Sequence, residues 1–264
     1  MATVVTPTLI LKHVRESDVL RKAYEIVEND EEVQELIKMA NVMAVGRLKY
    51  NDHGIVHSRI VAGASLELLH LLLESGIKPT TLNDGIAKSM DEVKVVVLLG
   101  AYLHDIGNAI HRANHEALGA MMSKDILDRL LSDIFPGIGK RKYSLRQEIM
   151  HAIYATETNI RALTIEAGVV KIGDGTDMAE GRARIPYNKM GRLDMHAVSA
   201  ISIKKVIISR GNNAPARIDV EMNDYAGLFQ IEAVLRPKIL TSGLDKYLEV
   251  YINVGDKEHR VHPL

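Results

Sequence analysis

The sequence has no cysteine, no tryptophan, only two phenylalanines and no excess of either charge. Without cysteine there is no disulfide, no thiolate metal site and no cysteine nucleophile. Any bound metal must therefore be held by nitrogen and oxygen. Lys and Arg total 33 against 34 Asp and Glu, a formal net charge of -1. No global basic field marks the chain as a nucleic-acid binder, which leaves only a local patch for that role. Long apolar runs are missing too. The longest, Val95 to Leu103, falls well short of the roughly 20 residues of a spanning helix. The opening MATVVTPTLILKHVRESD lacks the basic region and cleavage site of an export signal. The expectation is a cytoplasmic protein with no membrane partner.

What is present fits an ordinary folded chain. At 264 residues and 47% hydrophobic content, it is long enough for one large domain, or a medium domain plus a small one, with a real core. Histidine is the unusual residue. Of 11 histidines, six (His53, His57, His70, His104, His111 and His115) fall between residues 53 and 115.

Apolar spacing predicts helices over 16–49 (broken at Asn29-Asp30), 53–75, 92–106, 111–132, 143–155 and 158–180. Gly76 and Pro79 form a stop signal after the second of these. The valines of 92–106 are also compatible with a strand, but the continuation around Gly107 favours a buried helix. Near residue 195 the pattern turns to β-branched alternation: ISIKKVIISRG, ARIDVEMN and the final KYLEVYINV read as strands, with a helix-like GLFQIEAVLRPKILTSGL between them. The fold class is therefore α+β. A mostly α-helical domain at 1–193 precedes a small β-β-α-β domain at 194–264, with the boundary near Asp194. The strands VIISR and EVYINV are suited to edge pairing between chains, which would make the second domain a route to a homodimer.

Several segments carry candidate chemistry. His53 and His57 are four apart on an expected helix, but Gly54 stands where a zinc-protease motif has glutamate. His104-Asp105 ends an apolar helix, and a buried carboxylate without a partner is costly. A cation would serve both residues; an exposed helix end is the plainer alternative. His111 and His115 repeat the four-residue spacing. His151 stands alone in RQEIMHAIYATE. Asp174 follows the apolar VVKIG, with Asp177 three residues on. Taken singly, each is ambiguous.

Their order is more informative. HSRIVAGA from His57, LHDIGN from Leu103, HEALGA from His115, the isolated His151 and VVKIGDGTDMAEGR together resemble the HD superfamily of metal-dependent phosphohydrolases over residues 50–185. Asn108 stands where many relatives have lysine. The tandem histidine and Gly-Tyr-Pro triplet of the cyclic-di-GMP phosphodiesterases are missing. The short core is similar to the RNase Y and archaeal hydrolase branch.

The resemblance implies that His57, His104, Asp105 and Asp174 hold one divalent ion. With two ions, Asp105 would bridge and His115 and His151 would bind the second. A ligand set of imidazole and carboxylate suits Mn, Fe, Co, Ni, Zn or, less well, Mg. The implied reaction is hydrolysis of a phosphomonoester or phosphodiester, nucleotide-type, through metal-activated water. His104 and Asp105 would lie at its centre, with His111 or His53 assisting proton transfer. His53, Arg182, Arg184 and Lys189 are candidates for substrate binding, since guanidinium groups suit phosphate oxygens; Lys171 is a weaker one. His70 reads as a packed or interface residue, and His13, His196, His259 and His262 lack motif context. Two other classes stay open: a non-catalytic metal- or ligand-binding regulatory protein, and a di-iron oxygenase.

Overall fold

The computed structural model describes residues 2–179 and 195–263. The expected boundary at Asp194 lies outside the described residues. Nine α-helices precede that gap among the described residues: α1 (Ile10–Val14), α2 (Asp18–Glu28), α3 (Glu31–Asn41), α4 (Ile55–Glu74), α5 (Thr80–Asn83), α6 (Met90–Leu103), α7 (His115–Ile134), α8 (Arg141–Tyr154) and α9 (Ile165–Thr176). Polar side chains set several starts. Ser17, Asp30, Ser89 and Thr164 each accept a hydrogen bond from a first-turn N–H, of α2, α3, α6 and α9 respectively. The Asp30 cap accounts for the expected break at Asn29-Asp30.

Helix α6 settles the strand-or-helix ambiguity of its valines. Val95 to Leu103 are all buried, because α6 packs against α2, α4, α8 and α9. A helix enclosed on every side can be apolar all round, and packing overrides the β preference of valine. Helix α4 is long and apolar enough to cross a membrane by length and composition, but 72% of its most apolar window is buried inside the protein. It packs against α1, α6 and α9, and that burial is what its apolar residues serve.

Two expected helices start later than their periodicity suggests. Helix α7 begins at His115, because Asn114 adopts a left-handed conformation (φ 59°). His111 therefore lies outside the helix and does not share a face with His115. Helix α9 begins at Ile165 instead of 158. The preceding loop is held by Lys171 Nζ, which donates to the carbonyls of Glu157, Thr158 and Ile160. Lys171 is fully buried, so it acts on that loop. Burial, reinforced by Lys238, lowers its pKa to about 8.

The C-terminal part is a small mixed sheet with intervening helices. Helix α10 (Met195–Ser202) leads into β2 (Ile203–Arg210) and β3 (Ala216–Met222). A helical run follows, comprising α11 (Leu228–Gln230), a π-helical stretch Ile231–Leu235 and α12 (Arg236–Thr241). It leads to β4 (Leu248–Val254) and β5 (Lys257–His262). An N-terminal pair, β1 (Thr3–Val4), completes the order β1-β2-β3-β4-β5. β3 and β4 run parallel, which the helical crossover between them permits; the other pairs are antiparallel. The expected β-β-α-β unit thus gains a strand at each edge. VIISR and EVYINV, expected as edges, lie in interior strands. Edge strand β5 is instead exposed over Lys257–Arg260 and carries Lys257, Glu258 and Arg260, charges of the kind that discourage edge-to-edge pairing.

Alternate residues of β3 (Ala216, Ile218, Val220 and Met222) are buried, and both β2 and β3 touch α4. One contiguous apolar cluster runs from Ile10 through the helices to Ile252. The sheet closes one side of the same core that positions the histidines.

Candidate metal centre

Three elements deliver four side chains to one point. Helix α4 supplies His57 from its first turn. Helix α6 ends at Leu103, and His104 and Asp105 follow directly, before a short 3-10 turn at Ile106–Ala109. Helix α9 supplies Asp174. Two glycines permit the approach. A Cβ on Gly173 would run into Ser65 of α4, and one on Gly107 would run into the backbone of His115 and Gly119 in α7. The first contact brings Asp174 beside His57. The second folds α7 against the His104-Asp105 turn.

His57 Nε2 lies 3.1 Å from His104 Nε2 and 3.3 Å from both Asp105 Oδ2 and Asp174 Oδ1. His104 Nε2 lies 3.4 Å from Asp105 Oδ2 and 3.6 Å from Asp174 Oδ1. Donors about 2.0–2.1 Å from one tetrahedral ion stand roughly 3.3–3.4 Å apart, so these spacings are those of a coordination polyhedron. His57, His104 and Asp105 are all buried and place one ligand atom each within 4.8 Å of the others.

The tautomers agree. His57 Nδ1 donates to Asp177 Oδ2 at 2.6 Å, and His104 Nδ1 donates to the Ala101 carbonyl at 2.8 Å. Each ring thus turns its Nε2 to the centre, in the pattern by which carboxylates and carbonyls orient metal-binding histidines. The two Nε2 atoms, 3.1 Å apart, need either a shared proton or a metal ion between them. Asp105 Oδ2 is buried with no hydrogen-bond partner, which a ligand atom awaiting an ion explains. The residues therefore fit a divalent metal.

The electrostatics point the same way. Burial disfavours charge on Asp105 and Asp174, but cations outweigh it and hold both well below the usual carboxylate range. His104 is the foremost of these for Asp105, and Lys238 for Asp174. Burial likewise opposes charge on His104, but Asp105 and Asp174 push its pKa up to about 9. Lys238, from α12, donates to Asp174 Oδ2 at 2.7 Å and to the Thr156 carbonyl at 2.8 Å. The C-terminal part thereby holds Asp174 of the helical part. Nothing in VLRPKIL announces that role; only the tertiary structure places Lys238.

Asp105 also faces a second set of groups. Its Oδ1 lies 3.2 Å from His115 Nε2 and accepts from Asn108 Nδ2 at 2.9 Å. Burial works against charge on His115, but Asp105 and Glu116 raise its pKa, which strengthens its ring nitrogen as a donor to a cation. His53 precedes α4 and is buried, with its ring 5.7 Å from that of His57. Arg112, absent from the sequence expectations although it stands three residues before His115, reaches both His53 and His115.

The remaining expected residues lie elsewhere. His151 Nε2 accepts from the Leu163 backbone N–H at 3.0 Å, which commits one ring nitrogen to the loop before α9. His111 is exposed and its Nδ1 accepts from Ala113 N–H at 2.9 Å. Arg182, Arg184 and Lys189 lie outside the described residues.

The HD domain family model matches residues 57–179, from the first ligand to just beyond Asp177. The chain is also 44% identical over 237 residues to the uncharacterized protein MJ1020 of Methanocaldococcus jannaschii, covering 90% of this chain and 89% of the relative. The chain belongs to the HD-domain family. As an HD protein with a buried cluster of this chemistry, it is a metal-dependent hydrolase. No solved structure matches it.

Proposed function

We propose that this HD protein hydrolyses a phosphomonoester or phosphodiester, of nucleotide type. The reading is carried by one juxtaposition. The four ligand atoms of His57, His104, Asp105 and Asp174 lie together, and beside them the Arg112 guanidinium, its side chain 38% exposed, stands 4.0 Å from Asp105 Oδ1. A divalent ion at those four residues supplies Lewis acidity and makes water a nucleophile near neutral pH. Arg112 adds a permanent cation with several donors, suited to a phosphoryl oxygen. Asp177 and Lys238 hold His57 and Asp174 in place, so little reorganisation accompanies charge development. His53 Nε2 accepts from Arg112 at 3.2 Å and so helps to orient the guanidinium. The half-exposed Tyr50 ring, 5.9 Å from the Arg112 guanidinium, offers an aromatic face to a base. We also place the protein in the cytoplasm, as expected from its sequence.

The test is phosphate or p-nitrophenol release from bis-p-nitrophenyl phosphate and a nucleotide panel, with protein loaded in turn with Mn, Co, Ni, Zn and Mg. Turnover that vanishes in Asp105→Ala is the expected result. Absence of ester cleavage with every ion sinks the reading.

A further inference from the structure

The groups around Arg112 form an arrangement of their own. Its Nη1 lies 2.9 Å from His115 Nε2, 3.2 Å from His53 Nε2, 3.4 Å from Asn108 Oδ1 and 4.0 Å from Asp105 Oδ1. The three nearest turn a lone pair toward it, and the reason is visible in each case. His115 Nδ1 is spent on the Glu116 carboxylate at 2.9 Å and the Arg112 carbonyl at 3.0 Å, and His53 Nδ1 on the Asn51 carbonyl at 2.7 Å. Both rings therefore present Nε2 as an acceptor. Asn108 uses its amide N–H groups on Asp105, which turns its oxygen the other way.

Two imidazole nitrogens, an amide oxygen and a carboxylate oxygen around one point make a donor set for a second divalent ion. Asp105 would bridge it to the first, as paired-metal sites require. The point is already filled by a nitrogen of the Arg112 guanidinium. We propose that Arg112 takes the place of the second metal ion, so that the centre consists of one divalent ion and one fixed organic cation joined through Asp105. His53 and His115 then serve to hold the guanidinium. The Arg112 side chain is 38% exposed, which leaves its remaining donors for the substrate's oxyanion beside the metal. That last role rests on the phosphohydrolase reading; the ion count does not.

The experiment counts ions. Full-length protein is stripped with a chelator, titrated with Mn(II) by calorimetry, and examined by metal analysis and electron paramagnetic resonance. Wild type is expected to bind one Mn(II) per chain with the spectrum of an isolated ion. Arg112→Ala and Arg112→Gln are expected to bind two, the second more weakly, with the broadened spectrum of coupled ions about 4 Å apart. Arg112 is partly exposed, so neither change threatens the fold. Two ions in wild type, or a single ion in both variants, would overturn the inference. Failure of the phosphohydrolase reading looks different: one ion in wild type, two in the variants, and no cleavage of any phosphate ester.

Discussion

His57 and Asp177, 120 residues apart in sequence, are joined by a 2.6 Å hydrogen bond between Nδ1 and Oδ2, and both are buried. The bond ties the first turn of α4 to the residue after α9. It also decides which nitrogen of His57 faces the metal. Asp177→Asn is expected to leave the fold intact and weaken metal binding about 10–100-fold. Calorimetric titration with Mn(II) measures the effect. An unchanged affinity would mean that Asp177 does not orient the ring.

Lys238 makes the corresponding prediction for Asp174. The Lys238–Asp174 pair is largely buried, at 10% and 15% side-chain exposure. Removing one partner of a buried pair strands the other charge. Lys238→Met is expected to destabilise the metal-free protein by about 3 kcal/mol and to lower metal affinity, with Lys238→Arg recovering part of both losses. Urea titrations of the stripped proteins supply the comparison. Equal midpoints would remove the link between the sheet region and the site.

The pH dependence follows from His104. Its pKa is raised from 6.5 to about 9 by Asp105 and Asp174 against the cost of burial. In the metal-free protein, its contribution to stability is fully present below pH 6.5 and is lost as pH rises through about 9. Asp105 and Asp174, both lowered, act in the opposite sense: their contribution is present above the ordinary carboxylate range and is lost as pH falls below it. A metal must displace the His104 proton, so binding near pH 7 is expected to release about one proton. Calorimetry in buffers of different ionisation enthalpy counts it. A count of zero contradicts the assignment of His104 as a ligand.

Gly173 tests how closely the fold must pack to make the site. A Cβ there would meet Ser65 Oγ, with Ser65 N and Val61 O each at 3.0 Å, and backbone yields less readily than a flexible side chain. Gly173→Ala is expected to cost about 1–3 kcal/mol despite alanine's better helix propensity. It is also expected to weaken metal binding by moving Asp174 away from His57. Thermal melts with and without Mn(II) report both effects. A variant as stable as wild type would show that α4 and α9 can separate at no cost.

Much of the centre was legible in the sequence, because the HD motif places its chemistry in short local segments. His57, His104, Asp105 and Asp174 each sit in a recognisable run, and the structure brings them together. His111 and His115 are four apart but do not share a helix face, because α7 begins at His115. Asn114 takes a left-handed conformation, and no apolar spacing reveals where such a residue starts a helix. Arg112, a lone arginine in the loop before His115, has no periodicity to mark it. Lys238 gave no local signal; its partner Asp174 lies 64 residues earlier.

The sequence by itself determined the α+β class and the nitrogen-and-oxygen character of the centre, and its resemblance to the HD family pointed to His57, His104 and Asp105. Those follow from composition, and from motifs whose residues act within a turn or two of one another. The tertiary structure alone decided which nitrogens face inward, that Asp177 fixes His57 and Lys238 fixes Asp174, and that Arg112 stands where His53, His115, Asn108 and Asp105 converge. Hydrogen-bond partners and charge neighbours are set by the packing of α4, α6, α9 and α12. That packing depends on close approaches such as the one at Gly173, which sequence spacing along a single helix does not record.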